Sequence, residues 1–202
     1  MILIGITGII GSGKTTASSM LKKEGFEVVD LDRIAREVLF LEDVQDEIKS
    51  VLGEGYVSGG QVDIEKMRNT VFKDSGSIKK LEQIVHPKVR EKLFSRAEQV
   101  EKSGSKSVII DGPLLFETGL YKRLDKIVVV SAKLEMLIER LKNRGMDEED
   151  VKRRMVFQIP LDEKEKMADH VVYNNGTIED IKKEIAILLK KIKGWEEEPH
   201  AS

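Results

Sequence analysis

Two rhythms of apolar and polar positions alternate along this chain. Short, nearly unbroken apolar runs rich in branched residues occur at 2–7, 26–30, 107–111, 125–130 and 168–173. Runs of that length and composition read as buried strands. Between them, apolar residues recur every three or four positions, which predicts helices. One helix follows at 17–24, with Gly25 where a helix C′ glycine belongs. A second starts within Asp30-Leu-Asp32-Arg-Ile-Ala-Arg36, and a third covers Glu42 to Leu52 with Val44, Ile48 and Leu52 on one face. Gly53 to Gly60 predicts a loop or irregular hairpin, and Asp63 opens a helix carrying Ile64, Met67, Arg68, Val71 and Phe72. A further helix starts near Ser77, and Pro87 is expected to stop or restart it, because the residue before a proline avoids helical space. Lys88 to Lys102 reads as a long helix. Residues 42–102 are thus expected to form a helical insert without strands.

Beyond the 125–130 strand, Lys133 to Arg144 predicts a helix with Leu134, Leu137, Ile138 and Leu141 inward and Arg140 and Arg144 outward. Asp147 is expected to cap a second one through Arg153, Arg154 and Phe157. Two arginine-rich helices joined at Gly145 suggest a hinged lid over residues 140–160, able to bring guanidinium groups over a reacting group and exclude water. The closing helix runs from Thr177, its cap, to Lys193, with Gly194 as its stop and the segment from Trp195 onward as a frayed tail. Strands alternating with helices imply right-handed crossovers and a parallel sheet. At 202 residues the chain suits one α/β domain, 1–202, with inserts.

Charge alters the picture by exclusion. Lys+Arg 34 against Asp+Glu 36 gives a net charge of -2, so neither a general nucleic-acid binder nor a membrane-surface binder is indicated. With no cysteine, disulfides, thiolate metal sites and cysteine nucleophiles are excluded. No signal peptide and no span of ~20 apolar residues is recognisable, so a cytoplasmic protein is expected.

The chemistry concentrates where the first strand ends. Gly8-Ile-Ile-Gly11-Ser-Gly13-Lys14-Thr15-Thr16 fits G-x-x-x-x-G-K-[ST] and sits between a strand and a helix. Glycines let the backbone turn tightly and approach an anion closely. Loop N–H groups and the helix N-terminus then face phosphate oxygens, Lys14 reaches the β- and γ-phosphates, and the Thr15 hydroxyl suits Mg²⁺. Ligands of open α/β sheets bind beyond the carboxyl ends of the strands. Acids that end strands therefore matter: Asp30 and Asp32 after the second, Asp111 after the third. One of Asp30 and Asp32 is expected to cap the helix, and Asp32 to accept a proton or hold Mg²⁺ through water. Asp111 has the place of a Walker B acid. An apolar loop, Pro113 to Glu117, follows it.

These pieces, in this order, resemble the dephospho-coenzyme A kinase family. The resemblance is carried by Gly5-Ile-Thr-Gly8 with the loop to Thr15, Asp30-Leu-Asp32 with Arg36, Arg68 with Val71-Phe72, and Leu81-Glu82 with Ile84-Val-His86-Pro87. It continues through Asp111 with Pro113-Leu-Leu-Phe-Glu117, Arg140 and Arg144, Gln158 with Lys164, and Ala168-Asp169 with Asn174. It implies an α/β fold of the P-loop NTPase, nucleoside-monophosphate-kinase-like type, with a substrate insert and a lid. It also implies that ATP phosphorylates the ribose 3′-hydroxyl of dephospho-CoA. On that reading Lys14, Asp32 and Arg140 are catalytic, and Gly11, Ser12, Gly13, Lys14, Thr15, Thr16 and Arg144 bind ATP, with Asn174 near its adenine. Thr15 and Asp111 hold Mg²⁺, and Asp32, Arg68, His86, Leu115 and Phe116 receive dephospho-CoA. No obligate protein partner is expected. Two rivals remain. Another small-molecule kinase, of nucleoside-monophosphate or shikimate type, shares the glycine loop and lid. A GTP-dependent switch is disfavoured because no Asn-Lys-x-Asp occurs.

Overall fold

The computed structural model describes residues 1–70, 74–143, 145–146 and 158–198. The expectations for Val71, Phe72, Arg144, Asp147, Arg153, Arg154 and Phe157 fall outside these residues, as do the side chain of Arg68 and much of the 140–160 stretch. The chain divides into two compact units: residues 1–29 with 99–202, and residues 30–98.

The first unit is built on a five-stranded sheet. Its strands are β1 (Ile2–Thr7), β2 (Val28–Asp30), β5 (Ser107–Asp111), β6 (Lys126–Ser131) and β7 (His170–Tyr173), in the order β2-β5-β1-β6-β7. β1 is parallel to β5, with Ile4 opposite Ile109, and to β6, with Ile6 opposite Val128; β7 is parallel to β6, with Val172 opposite Val130. The strand period of two sorts side chains to the two faces. Val128 and Val130 join Ile4, Ile6 and Ile109 in a core that α1 (Lys14–Lys23) and the final helix, α8 (Ile178–Glu197), cover through Leu21, Ile185 and Leu188. Ile127 and Val129 face the other way, onto Phe116 with Tyr121 and Leu124.

Two sequence expectations need correction here. Gly194 does not end the last helix, because it keeps helical backbone and the next residue, Trp195, is anchored by burial at 7% exposure. The Lys126 ammonium lies 5.6 Å from the Trp195 ring, and Ser107 donates to Glu196 at 2.6 Å, so this segment is docked rather than frayed. In α6 (Leu134–Asn143), Leu137 and Leu141 are buried but Leu134 and Ile138 are exposed, so the apolar face is narrower than its periodicity implies.

The second unit holds α2 (Leu31–Val38), α3 (Glu42–Leu52), the antiparallel pair β3 (Val57–Ser58) and β4 (Gln61–Val62), α4 (Ile64–Thr70) and most of α5 (Ser75–Lys102). The hairpin corrects the expectation of a strandless insert. Its turn uses Gly59 and Gly60, both at positive φ, and buried Gln45 donates to the Gly60 carbonyl at 3.0 Å. Pro87, expected to stop or restart a helix, lies inside the unbroken α5. Glu37 draws Arg96, Lys92 and Arg33 around one carboxylate, at 3.0, 3.6 and 3.6 Å.

Candidate active site

β1 ends at Thr7, and the chain turns through Gly8 to Gly13 into α1. Gly11 and Gly13 both take positive φ, 84° and 92°. A side chain at Gly13 would strike the Asn174 amide, so glycine is required there by backbone conformation and by space. The loop closes on itself through Ser12 N–H to the Ile9 carbonyl at 3.1 Å, and α1 starts with Thr16 N–H to the Gly13 carbonyl at 2.9 Å. Thr15 is exposed in the first turn of α1.

Asp111 ends β5 in register with Ile6 on β1, so its carboxylate comes beside the loop that β1 feeds. It pairs with the Lys14 ammonium, and both side chains are largely shielded, at 11% and 17% exposure. Thr15 and Asp111 are oxygen donors, the set that a hard divalent cation takes. Asp111 is also a shielded carboxylate next to the Thr15 turn. These residues fit a metal, although no cluster of three or more His, Asp or Glu occurs among the described residues.

Arg140, expected to point outward from its helix, turns onto the loop instead. It donates to the Gly11 carbonyl at 3.5 Å and to the Asn174 carbonyl and side-chain oxygen at 2.9 and 3.2 Å. Asn174 in turn donates to the Ser12 carbonyl at 2.9 Å and is buried. The loop is therefore braced from β7 and α6 together. Asn175, the next residue, accepts from Lys133 N–H at 2.7 Å and lines an open cavity of about 640 Å³ with Ile9, Leu137, Leu161 and Tyr173.

The other expected residues behave differently. Leu115 and Phe116, expected on the substrate side, are buried at 1% and 4% exposure and pack in the core; Leu114 is the exposed residue of that loop. The reason is their position under β1 and β6, where a Cβ on Gly5 would meet the Leu115 side chain. Asp169 accepts from Ile127 N–H at 2.7 Å.

In the second unit, Asp30 accepts from Arg33 N–H at 3.0 Å and caps α2, leaving Asp32 exposed in the first turn. His86 is half-buried on α5, beside Lys79, Gln83 and Arg90 around a depression of about 370 Å³. Burial holds its pKa below the usual 6.5, with Glu82 opposing and Arg90 adding to the shift.

Two residues that carry the resemblance without a role assigned to them also reach this region. Gln158 accepts from Ile10 N–H inside the loop at 3.2 Å, and Lys164 is fully buried. Lys164 sits in the charged run Leu161-Asp-Glu-Lys-Glu-Lys166, which by pattern is a solvated helix face.

A glycine turn between a parallel strand and a helix, with the loop lysine held to the acid that ends the neighbouring strand β5, makes this a P-loop kinase. A family model described as dephospho-CoA kinase matches residues 2–180, and the chain belongs to that family. It is 41% identical over 191 residues to the dephospho-CoA kinase of Geobacillus kaustophilus, covering 93% of this chain and 95% of that protein. Among solved structures it resembles TT1252 from Thermus thermophilus, with TM-score 0.83 and 37% identity over 95% of this chain and 97% of that one. It also resembles the dephospho-CoA kinase from Campylobacter jejuni, with TM-score 0.72 and 25% identity over 95% and 98% of the two chains. The GTP-switch and shikimate-type readings give way to this family.

Proposed function

We propose that this chain transfers the terminal phosphoryl group of ATP to the ribose 3′-hydroxyl of dephospho-CoA, yielding coenzyme A and ADP in the last step of coenzyme A synthesis. The observation that carries the reading is the family match over residues 2–180, together with a phosphate loop whose lysine is paired to the acid ending β5. Phosphoryl transfer through a loose transition state needs alignment and charge neutralisation more than covalent help. The loop from Gly11 to Thr16 holds the phosphates, and Lys14 neutralises charge on the transferred group. Arg140 adds a second positive charge, already directed at the loop by its bonds to Gly11 and Asn174. The Thr15 hydroxyl and Asp111 are the residues to hold Mg²⁺, which when bound spreads charge over the β- and γ-oxygens.

Asp32 accepts the proton from the ribose hydroxyl; support comes from Asp30 taking over the capping task at the same helix. Arg68 and His86 serve the dephospho-CoA side, and the segment at Asn174 serves the adenine of ATP. The reaction is cytoplasmic, and no helix among the described residues is long and apolar enough to cross a membrane.

The test is coupled ADP release with dephospho-CoA, shikimate and nucleoside monophosphates as acceptors, with the product's 3′-phosphate read by phosphorus NMR. Turnover is expected with dephospho-CoA alone; release with another acceptor instead would reject the assignment. Asp32→Asn is expected to lose turnover by ~10²-fold or more, the scale of general-base catalysis, with ATP affinity by calorimetry retained. Turnover within a few-fold of the parent would remove Asp32 from that role.

A further inference from the structure

Lys164, on α7 (Leu161–Lys166), has a side chain at 0% exposure. Its ammonium donates to the Pro113 carbonyl at 2.9 Å, lies 2.8 Å from a Glu117 oxygen and sits 6.0 Å from the Phe116 ring. Each of the two oxygens it meets is shared. The Pro113 carbonyl also accepts from the Thr7 hydroxyl at 3.1 Å, and Thr7 is the last residue before the phosphate loop. The same Glu117 oxygen accepts from Ile159 N–H at 2.8 Å, and neighbouring Gln158 accepts from Ile10 N–H inside the loop. Among the described residues the other Glu117 oxygen is buried with no partner.

Burying an ammonium and a carboxylate together contributes little net stability over apolar side chains of the same volume. What the pair provides is direction, since its donors and acceptors fix where two segments sit. One arm reaches Pro113, two residues after Asp111, and Thr7. The other runs through Glu117, Ile159 and Gln158 to Ile10. We propose that Lys164 is a positioning residue, which with Glu117 and Gln158 sets the phosphate loop relative to Asp111. It acts on ATP through other residues and touches no reacting atom. This rests on reading the loop as the ATP site.

Two variants test it, with Lys164→Met alone as the reference for stability. Lys164→Met combined with Glu117→Leu removes both charges and keeps the volume; Gln158→Ala cuts only the outer link. Melting temperature, kcat, KM for ATP and calorimetric ATP affinity are measured for each. For the double variant, a melting temperature at or above that of Lys164→Met alone is expected, with kcat down ~10-fold or more, as small misplacements of catalytic groups produce. For Gln158→Ala, KM for ATP and the calorimetric Kd should rise several-fold at unchanged melting temperature. A double variant with kcat and KM within twofold of the parent shows packing alone and overturns the proposal. Should the double variant fail to fold, Gln158→Ala decides, and an unchanged ATP affinity overturns it. If the parent binds ATP but does not phosphorylate dephospho-CoA, the functional reading fails instead, while the affinity measurements still test the positioning.

Discussion

Lys14 and Asp111 leave little room for change at single positions. Each neutralises a charge that is mostly withdrawn from water, so losing one strands the other. Lys14→Met should cost about 1–3 kcal/mol in urea titration, the scale of a shielded polar group left unpaired. Adding Asp111→Asn should recover most of that stability without recovering turnover. A result in which turnover returns with stability would mean that the pair is only structural. Histidines add a pH dependence. Burial holds the pKa of His170 below 6.5, with Lys191 adding to the shift and Glu184 opposing it, and His86 is shifted the same way. The unfolded chain therefore binds more protons than the folded one just below pH 6.5, so stability rises with pH through that window and levels above it. Melting temperature should fall on acidification from pH 7 to 5, and His170→Phe should flatten the fall.

Among the elements, α5 and α8 both pass through a residue that by rule interrupts a helix. Pro87 forfeits one backbone hydrogen bond and crowds the preceding turn. Pro87→Ala should raise stability by up to about 3 kcal/mol in calorimetry, the usual penalty of an interior proline. No gain would mean that the surrounding chain has already absorbed the distortion. At Gly194 the helix survives because Trp195 is buried just beyond it. Trp195→Ala should therefore cost about 3 kcal/mol and shorten the helix in far-ultraviolet circular dichroism. Local signals are statistical preferences worth a few kcal/mol at most, and one large buried aromatic is enough to outweigh them. That is why helix ends and the short β3–β4 hairpin were the least legible parts of this sequence, while the five strands of the main sheet and their order were legible from the run of apolar residues.

For the whole molecule, a ligand that binds only the folded state stabilises it, by about 2.7 kcal/mol at one hundred times its Kd. ATP with Mg²⁺ should raise the melting temperature, and EDTA should remove part of that rise; an EDTA-independent shift would argue against Thr15 and Asp111 as metal ligands. Residue order alone settled the parallel α/β sheet, the strand-loop-helix of residues 2–23 and the family. These rest on short-range rules: alternation sets a strand's faces, and only glycine adopts the positive φ of Gly11 and Gly13 without strain. Three-dimensional packing decided the rest. Asn174 reaches Ser12 across 162 positions, Arg140 turns inward to meet both Gly11 and Asn174, and Leu115 and Phe116 go to the core. Lys164 is buried because Glu117 and the Pro113 carbonyl, distant in the chain, come to meet it. A charge leaves water only where such partners converge, and that convergence is not written in the neighbouring residues.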